Sequence, residues 1–228
     1  MTRNFLTAAK LLIGGAAAAM AVAAGAAQAT VVVNGDFSQP QAFPNSGQWS
    51  PFNGVGGVPG WTDLTDQIEI GNNGTYGLKC FSATICQNLE VNANNFDTVT
   101  QTFTDLDTNK TYTVSWAYAG RNGGGPQTLN VSFAGQTVTN SSDGLADDAV
   151  WNMYSITVKP TSSTETLTFA SENTAGQGGL PSYGGEITDV AIAVPEPATW
   201  ATMMLGLGCI GAGLRMSRRR DVAAPTAA

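Results

Sequence analysis

The chain contains no histidine in 228 residues. That removes every catalytic triad that uses imidazole as its base, and it removes the commonest protein metal ligand. Charge is scarce as well, at 12% of residues. Between Thr30 and Val194 the only basic residues are Lys79, Lys110, Arg121 and Lys159, against 15 acidic ones, for a net charge of −11. A field of that sign argues against nucleic acid or an anionic membrane surface as partner. No Gly-x-Ser-x-Gly elbow, phosphate loop or metal-ligand pair on a helix occurs. After residue 30 there is no apolar stripe of period 3.6 and no internal repeat of solenoid or propeller length. Cysteine is limited to Cys80, Cys86 and Cys209. Zinc is disfavoured, because two thiolates without histidine are too few ligands.

The two ends of the chain carry the sharpest signals. Arg3 and Lys10 form a basic start, an alanine-rich apolar run follows from Leu11 to about Ala24, and Ala27-Gln28-Ala29 supplies the small residues a signal peptidase needs. Residues 1–29 therefore read as a secretory signal peptide cleaved after Ala29. At the other end, Ala198 to Leu214 is a run of 17 uncharged residues. That is at the short end of what spans a bilayer core of about 30 Å. Arg215, Arg218, Arg219 and Arg220 follow it and would be held on the cytoplasmic side. An ordinary C-terminal anchor would look similar, but Pro195-Glu196-Pro197 stands at the junction, with Trp200 and Ala201 beyond it. This tripartite tail resembles the PEP-CTERM sorting signal in its PEPxxWA variant. The resemblance implies recognition by a membrane exosortase, removal of the tail, and transit through the inner membrane to the cell surface or extracellular matrix of a Gram-negative bacterium. Residues 30–194 are then the exported domain, 195–220 the sorting signal and 221–228 a disordered tail.

The exported region reads as strands. From Thr111 to Ala119, Tyr112, Val114, Trp116 and Tyr118 alternate with small or polar residues, the period of a half-buried strand. Leu129, Val131 and Phe133 repeat the pattern, as do Val99, Gln101 and Phe103, then Tyr154, Ile156 and Val158, then Leu167 and Phe169, then Val190 and Ile192. Glycine- and Asn/Asp-rich segments such as Asn122-Gly123-Gly124-Gly125-Pro126 separate them. Many short antiparallel strands with such turns predict an all-β sandwich or barrel. With some 165 residues, the region is one domain able to bury a core.

The order of local signatures narrows this further. Asn34-Gly35-Asp36-Phe37 opens the domain, followed by Val58-Pro59-Gly60-Trp61, Gln67-Ile68-Glu69-Ile70, Lys110 to Trp116, Trp151-Asn152-Met153-Tyr154 and Ile187-Thr188-Asp189-Val190. The succession resembles DUF642-type domains and carbohydrate-binding-module jelly rolls of galactose-binding-like fold. The resemblance implies an antiparallel jelly-roll β-sandwich whose first strand lies near its last, bringing Asn34 to Phe37 close to Asp189. Related modules hold a structural Ca²⁺ between an opening Asn-Gly-x-Phe-Glu segment and an aspartate of the last strand. Here Ser38 replaces the glutamate, leaving Asp36 and Asp189 as candidate calcium ligands. The alternative is that both aspartates cap turns or bond backbone amides.

Cys80 and Cys86, with five residues between them, lie in an exported domain where oxidation is permitted, so a disulfide stapling one surface loop is expected. Glu69, Glu90, Glu165, Glu172 and Glu186 are available carboxylates, but no motif pairs two of them across a cleft, and hydrolysis is not the expected activity. Binding suits the residues better. Trp49, Phe52, Tyr76 and Tyr183 lie in Gly- or Pro-rich segments, where an aromatic ring can stack on a sugar and neighbours such as Gln48 and Asn45 can bond hydroxyls. Packing under a loop is the competing role for these rings. Trp61, Trp116 and Trp151 sit in strand patterns and are assigned to the core. Two readings stay open: a non-catalytic domain that binds polysaccharide or a cell-surface glycan, and a structural biofilm-matrix protein without a discrete ligand.

The tail yields a direct test. The prolines fix an extended junction that cannot continue a helix. Glu196→Ala or Pro197→Ala should leave uncleaved precursor in the inner membrane while the domain folds normally. Immunoblots of membrane and surface fractions measure this; normal processing of both variants would reduce the tail to a plain anchor.

Overall fold

The computed structural model describes residues 31–42 and 45–194. The signal peptide, Cys209, the sorting residues Pro195, Glu196, Pro197, Trp200 and Ala201, the apolar run, and Arg215, Arg218, Arg219 and Arg220 lie outside the described residues. Among the described residues no helix is long and apolar enough to cross a membrane.

The domain is all-β. Its strands are β1 (Trp49–Val58), β2 (Trp61–Gly71), β3 (Asn88–Glu90), β4 (Thr98–Phe103), β5 (Tyr112–Ala119), β6 (Gln127–Phe133), β7 (Gln136–Ser142), β8 (Asn152–Val158), β9 (Glu165–Ser171) and β10 (Glu186–Ala193). They pair antiparallel along one path, β7-β6-β9-β4-β2-β3-β10-β5-β8, with β1 on β2. The path bends at β2. Thr62 and Asp63 at one end pair with Thr100 and Val99 of β4, whereas Glu69, Ile70 and Gly71 at the other end pair with Glu90, Leu89 and Asn88 of β3. One strand thus serves both halves of a sandwich. The terminal strands β7 and β8 meet, so the path nearly closes around a single core.

The period-two residues fill that core. Val114, Trp116, Val131, Leu167 and Phe169 are buried, as are Val99, Leu129, Phe133 and Ile156. A chain of rings crosses it: Phe37 lies 5.2 Å from Trp61, Trp61 lies 5.8 Å from Phe169, and Phe169 lies 6.0 Å from Trp116. Buried polar groups find partners. The Trp116 indole N–H donates to Asn140 Oδ1 at 3.0 Å. Gln101, which occupies an apolar-looking strand position, uses its amide to accept from Val33 N at 2.8 Å and donate to Val33 O at 3.0 Å.

Three local expectations change. The opening segment is not a strand; Asn34 and Phe37 take positive φ values, and the segment is tied on by Val190 N donating to Gly35 O at 2.9 Å. A Cβ at Gly35 would lie 2.0 Å from that neighbouring Val190 carbonyl, so only glycine permits the approach. Trp49 and Phe52 lie in β1 rather than in a loop, despite Pro51 and three glycines. Among the described residues β1 pairs only with β2, and it slips register between Asn53 and Val58; edge strands and bulges are where proline and glycine are tolerated. Trp151 is outside the core. It precedes β8, donates to Lys79 O at 2.8 Å, and meets Phe81 edge-on at 6.2 Å.

Those contacts hold down the 72–87 segment, which the Cys80–Cys86 disulfide closes. The bridge spans six positions. In the chain-entropy picture a loop of this size contributes about 2 kcal/mol, or roughly 4–8 °C in melting temperature for a domain of this length. Replacing both cysteines by serine should lower the calorimetric melting temperature by about that amount. An unchanged value would mean that packing alone holds the segment.

Candidate functional site

Strand parity places the site. On β2, Ile68 and Ile70 face the core, so Glu69 and Gly71 face outward; on β3, Leu89 faces the core, so Asn88 and Glu90 face outward; on β10, Ile187 faces the core, so Glu186 and Thr188 face outward. Register then aligns three acids. Glu69 pairs with Glu90, and Glu90 pairs with Glu186. Three glutamates stand abreast on adjacent strands, yet their exposures are 3%, 1% and 0%. The outer face is roofed: Leu78 and Thr75 of the 72–87 segment are buried, and Thr188 Oγ1 donates to Gln87 O at 2.8 Å.

One cation serves the three acids. Arg121, just beyond β5, donates from Nη1 to both carboxylate oxygens of Glu90 at 2.7 and 2.8 Å, and to Ser182 O at 3.0 Å. Its guanidinium is sandwiched between two rings, 3.5 Å from the Tyr76 centroid and 3.8 Å from that of Tyr183, a desolvated cation–π arrangement. Tyr76 holds a left-handed backbone, φ 54°, and its hydroxyl donates to Glu69. Gly184 N donates to Glu90 Oε1 at 2.6 Å. Neither oxygen of Glu186 has a partner.

The electrostatics follow. Burial, then the charges of Glu186 and Glu69, push Glu90 up despite Arg121; burial, then Glu69, pushes Glu186 well above the ordinary carboxylate range. Burial raises Glu69 against the hydrogen bond it accepts from Tyr76. Tyr76 is raised by burial and by Glu90, so its phenol stays protonated. Burial opposes the Arg121 charge, but Glu90 outweighs it and holds Arg121 above its usual value.

Among the residues singled out from sequence, Asn45, Gln48 and Trp49 come together. Asn72 joins them, donating to Asn45 O at 2.6 Å and accepting from Gln48 N at 3.3 Å. Trp49 is 42% exposed. It sits opposite Gly71, which has no side chain to cover it. A polar cavity of about 280 Å³ opens beside this group, lined among others by Gln41, Ser46, Asn72 and Asn73. Tyr183 is engaged elsewhere, on Arg121. Phe52 packs against the core.

Asp36 and Asp189 are also brought near each other. Burial and the Asp36 charge raise Asp189, while Asp36 Oδ1 accepts from Ser38 N at 3.1 Å. Two carboxylates supply only part of the six to eight oxygens calcium takes, and Ser38 adds no third one. Among the described residues the three acidic groups close enough to share an ion are Asp143, Asp147 and Asp148. Asp148 is already held low by the Ser142 hydroxyl and the Asp143 amide.

Sequence reasoning does not pair the glutamates of this ladder. Its signal is an acid inside an apolar alternation, as in Ile68-Glu69-Ile70 and Leu89-Glu90-Val91. Which acids stand abreast depends on register, which the sequence does not print.

A family model described as a protein of unknown function, DUF642, matches residues 30–193. The chain belongs to the DUF642 family. A second model, the PEP-CTERM protein-sorting motif, matches residues 193–220, marking the protein as exported and sorted. No curated protein matches the chain. Similar solved structures include the CBM22-1 xylan-binding domain from Paenibacillus barcinonensis Xyn10C, at 13% identity and TM-score 0.41 over 68% of this chain and 100% of that one. CBM35 from the same organism has 14% identity and TM-score 0.36 over 65% and 99%. The Clostridium thermocellum xylanase 10B fragment carrying CBM22-1 and GH10 modules has 16% identity and TM-score 0.40 over 61% of this chain; the match spans only 27% of that protein. At these scores the likeness carries no argument about a ligand.

Among the described residues of this DUF642 domain, Arg121 is the one cation in a salt bridge with the buried acid row. Removing it leaves the buried Glu90 carboxylate without its partner, a change that typically costs about 3–5 kcal/mol. Arg121→Ala should lower the urea midpoint at neutral pH, with an unfolding free energy smaller by that much. Arg121→Lys should recover part of the loss, since it restores charge but not the planar stack. An Arg121→Ala midpoint equal to wild type would show that the ladder is neutral without it.

Proposed function

We propose that this DUF642 protein is an exosortase-sorted surface or matrix protein whose exported domain binds polysaccharide without catalysis. The observation that carries the reading is the half-open Trp49 ring beside fixed polar neighbours. The ring offers an apolar face to a sugar, and Gln48 and Asn45 lie within the same Asn72-braced group to bond hydroxyls. Tyr183, with one face on Arg121, is the secondary stacking candidate. The domain's net charge of −11 favours uncharged glycans over anionic ones. Of the five glutamates, Glu69, Glu90 and Glu186 are buried under the roof rather than set across a cleft. A structural matrix role without a ligand is the alternative, and it predicts no saturable binding.

Losing a stacking ring costs on the order of 1–3 kcal/mol, so Trp49→Ala should weaken binding about tenfold or more with the fold intact. Titration of purified protein with the host's own exopolysaccharide, wild type beside variant, measures it. No saturable signal from wild type would abandon glycan binding in favour of the matrix role.

A further inference from the structure

We propose that the Glu69–Glu90–Glu186 ladder is a two-proton site that latches the 72–79 and 180–184 segments onto the outer face of the sheet. Three carboxyls face one guanidinium. Arg121 and the Gly184 amide are both spent on Glu90, which fixes Glu90 as the carboxylate. Glu69 stands abreast of Glu90 and is buried, with the neutral Tyr76 phenol as its donor and no salt bridge of its own. A second buried carboxylate beside the first would be uncompensated, so Glu69 holds one proton while it accepts from Tyr76. Glu186 is fully buried and has no donor at either oxygen. An ionised carboxylate there would be unsolvated and unpaired, so Glu186 holds the second proton.

The roof depends on this state. Tyr76 reaches the ladder through its hydroxyl, Tyr183 through the Arg121 stack, and Gly184 through its amide. The ionisable groups facing the ladder are Tyr76 from the roof and Arg121 beyond β5, with Tyr183 stacked on the arginine, whereas Tyr118 of β5 pairs with Ile187 and lies on the core side. Apart from Arg121 none of these is a cation. Losing a proton therefore adds an uncompensated charge beneath the roof. The direction of the pH effect is set by the raised carboxyls. The stability they contribute is complete below the unfolded glutamate value of about 4.3 and is lost as the pH rises through the folded values. Local release is the cheaper response, because the roof leaves without breaking the core. The same 72–79 segment begins at Asn72, the brace of Asn45 and Gln48; on the glycan-binding reading, release also loosens the Trp49 platform.

Amide hydrogen exchange of the purified protein tests the latch without any glycan, so its failure is separate from that of the binding reading. Glu186→Gln replaces the protonated acid by a neutral isostere that cannot ionise. Compared at the same pH, so that intrinsic rates cancel, wild type at pH 9 should exchange the Thr75, Leu78 and Gly184 amides at least tenfold faster than Glu186→Gln, with no difference at pH 5. The Val131 amide of β6 should stay equally protected in both. Equal roof exchange at pH 9, or acceleration shared by Val131, overturns the proposal. If Glu186→Gln does not fold, Glu69→Gln takes its place in the same comparison, with the same two outcomes.

Discussion

The arrangement of this domain's outer face depends on one mismatch: three buried carboxyls in register and a single arginine. Strand pairing forces the mismatch. Once Ile68, Leu89 and Ile187 turn inward, their neighbours Glu69, Glu90 and Glu186 must turn outward and stand abreast. A row of like charges at strand spacing repels. The fold answers with Arg121 on the central acid, with phenol and amide donors, and with burial that favours neutral carboxyls. Each answer recruits a different loop: Tyr76 from the segment after β2, Arg121 from the segment after β5, and Tyr183 and Gly184 from the segment before β10.

That convergence closes a sheet face that would otherwise be open. The disulfide, the Trp151–Lys79 hydrogen bond and the Thr188–Gln87 hydrogen bond secure the far side of the same roof. On the proposed glycan-binding reading, recognition falls at the rim, where Trp49 sits on an edge strand opposite a glycine. An edge strand with a register slip is a poor partner for further sheet pairing, which leaves its exposed ring available for contact of another kind.

Much of the fold is legible in the sequence because burial imposes a period. Tyr112 to Tyr118, Leu129 to Phe133 and Leu167 to Phe169 alternate as strands must, and they lie in the core. Pro51 and the glycines around it read as breakers, which puts Trp49 and Phe52 in a loop; edge strands relax that rule. Trp151 looks like a core residue because the strand after it alternates, yet its ring turns to the disulfide segment. Gln101 looks like an interruption of an apolar face, and its reason is a backbone pairing with Val33 that spans 68 positions of chain.

The sequence by itself determined the C-terminal sorting motif, the all-β class, the family resemblance and the exclusion of histidine chemistry, since each rests on local composition, spacing or absence. It also supplied Asn45, Gln48 and Trp49 as neighbours in the chain. Only the tertiary structure decided which acids share a row, which arginine serves them and which rings clamp that arginine. Those facts depend on strand register and on loops meeting across up to 94 positions, as Gly184 and Glu90 do. Local propensity carries no information about register, because it describes how a segment alternates and not which residue of another strand it faces.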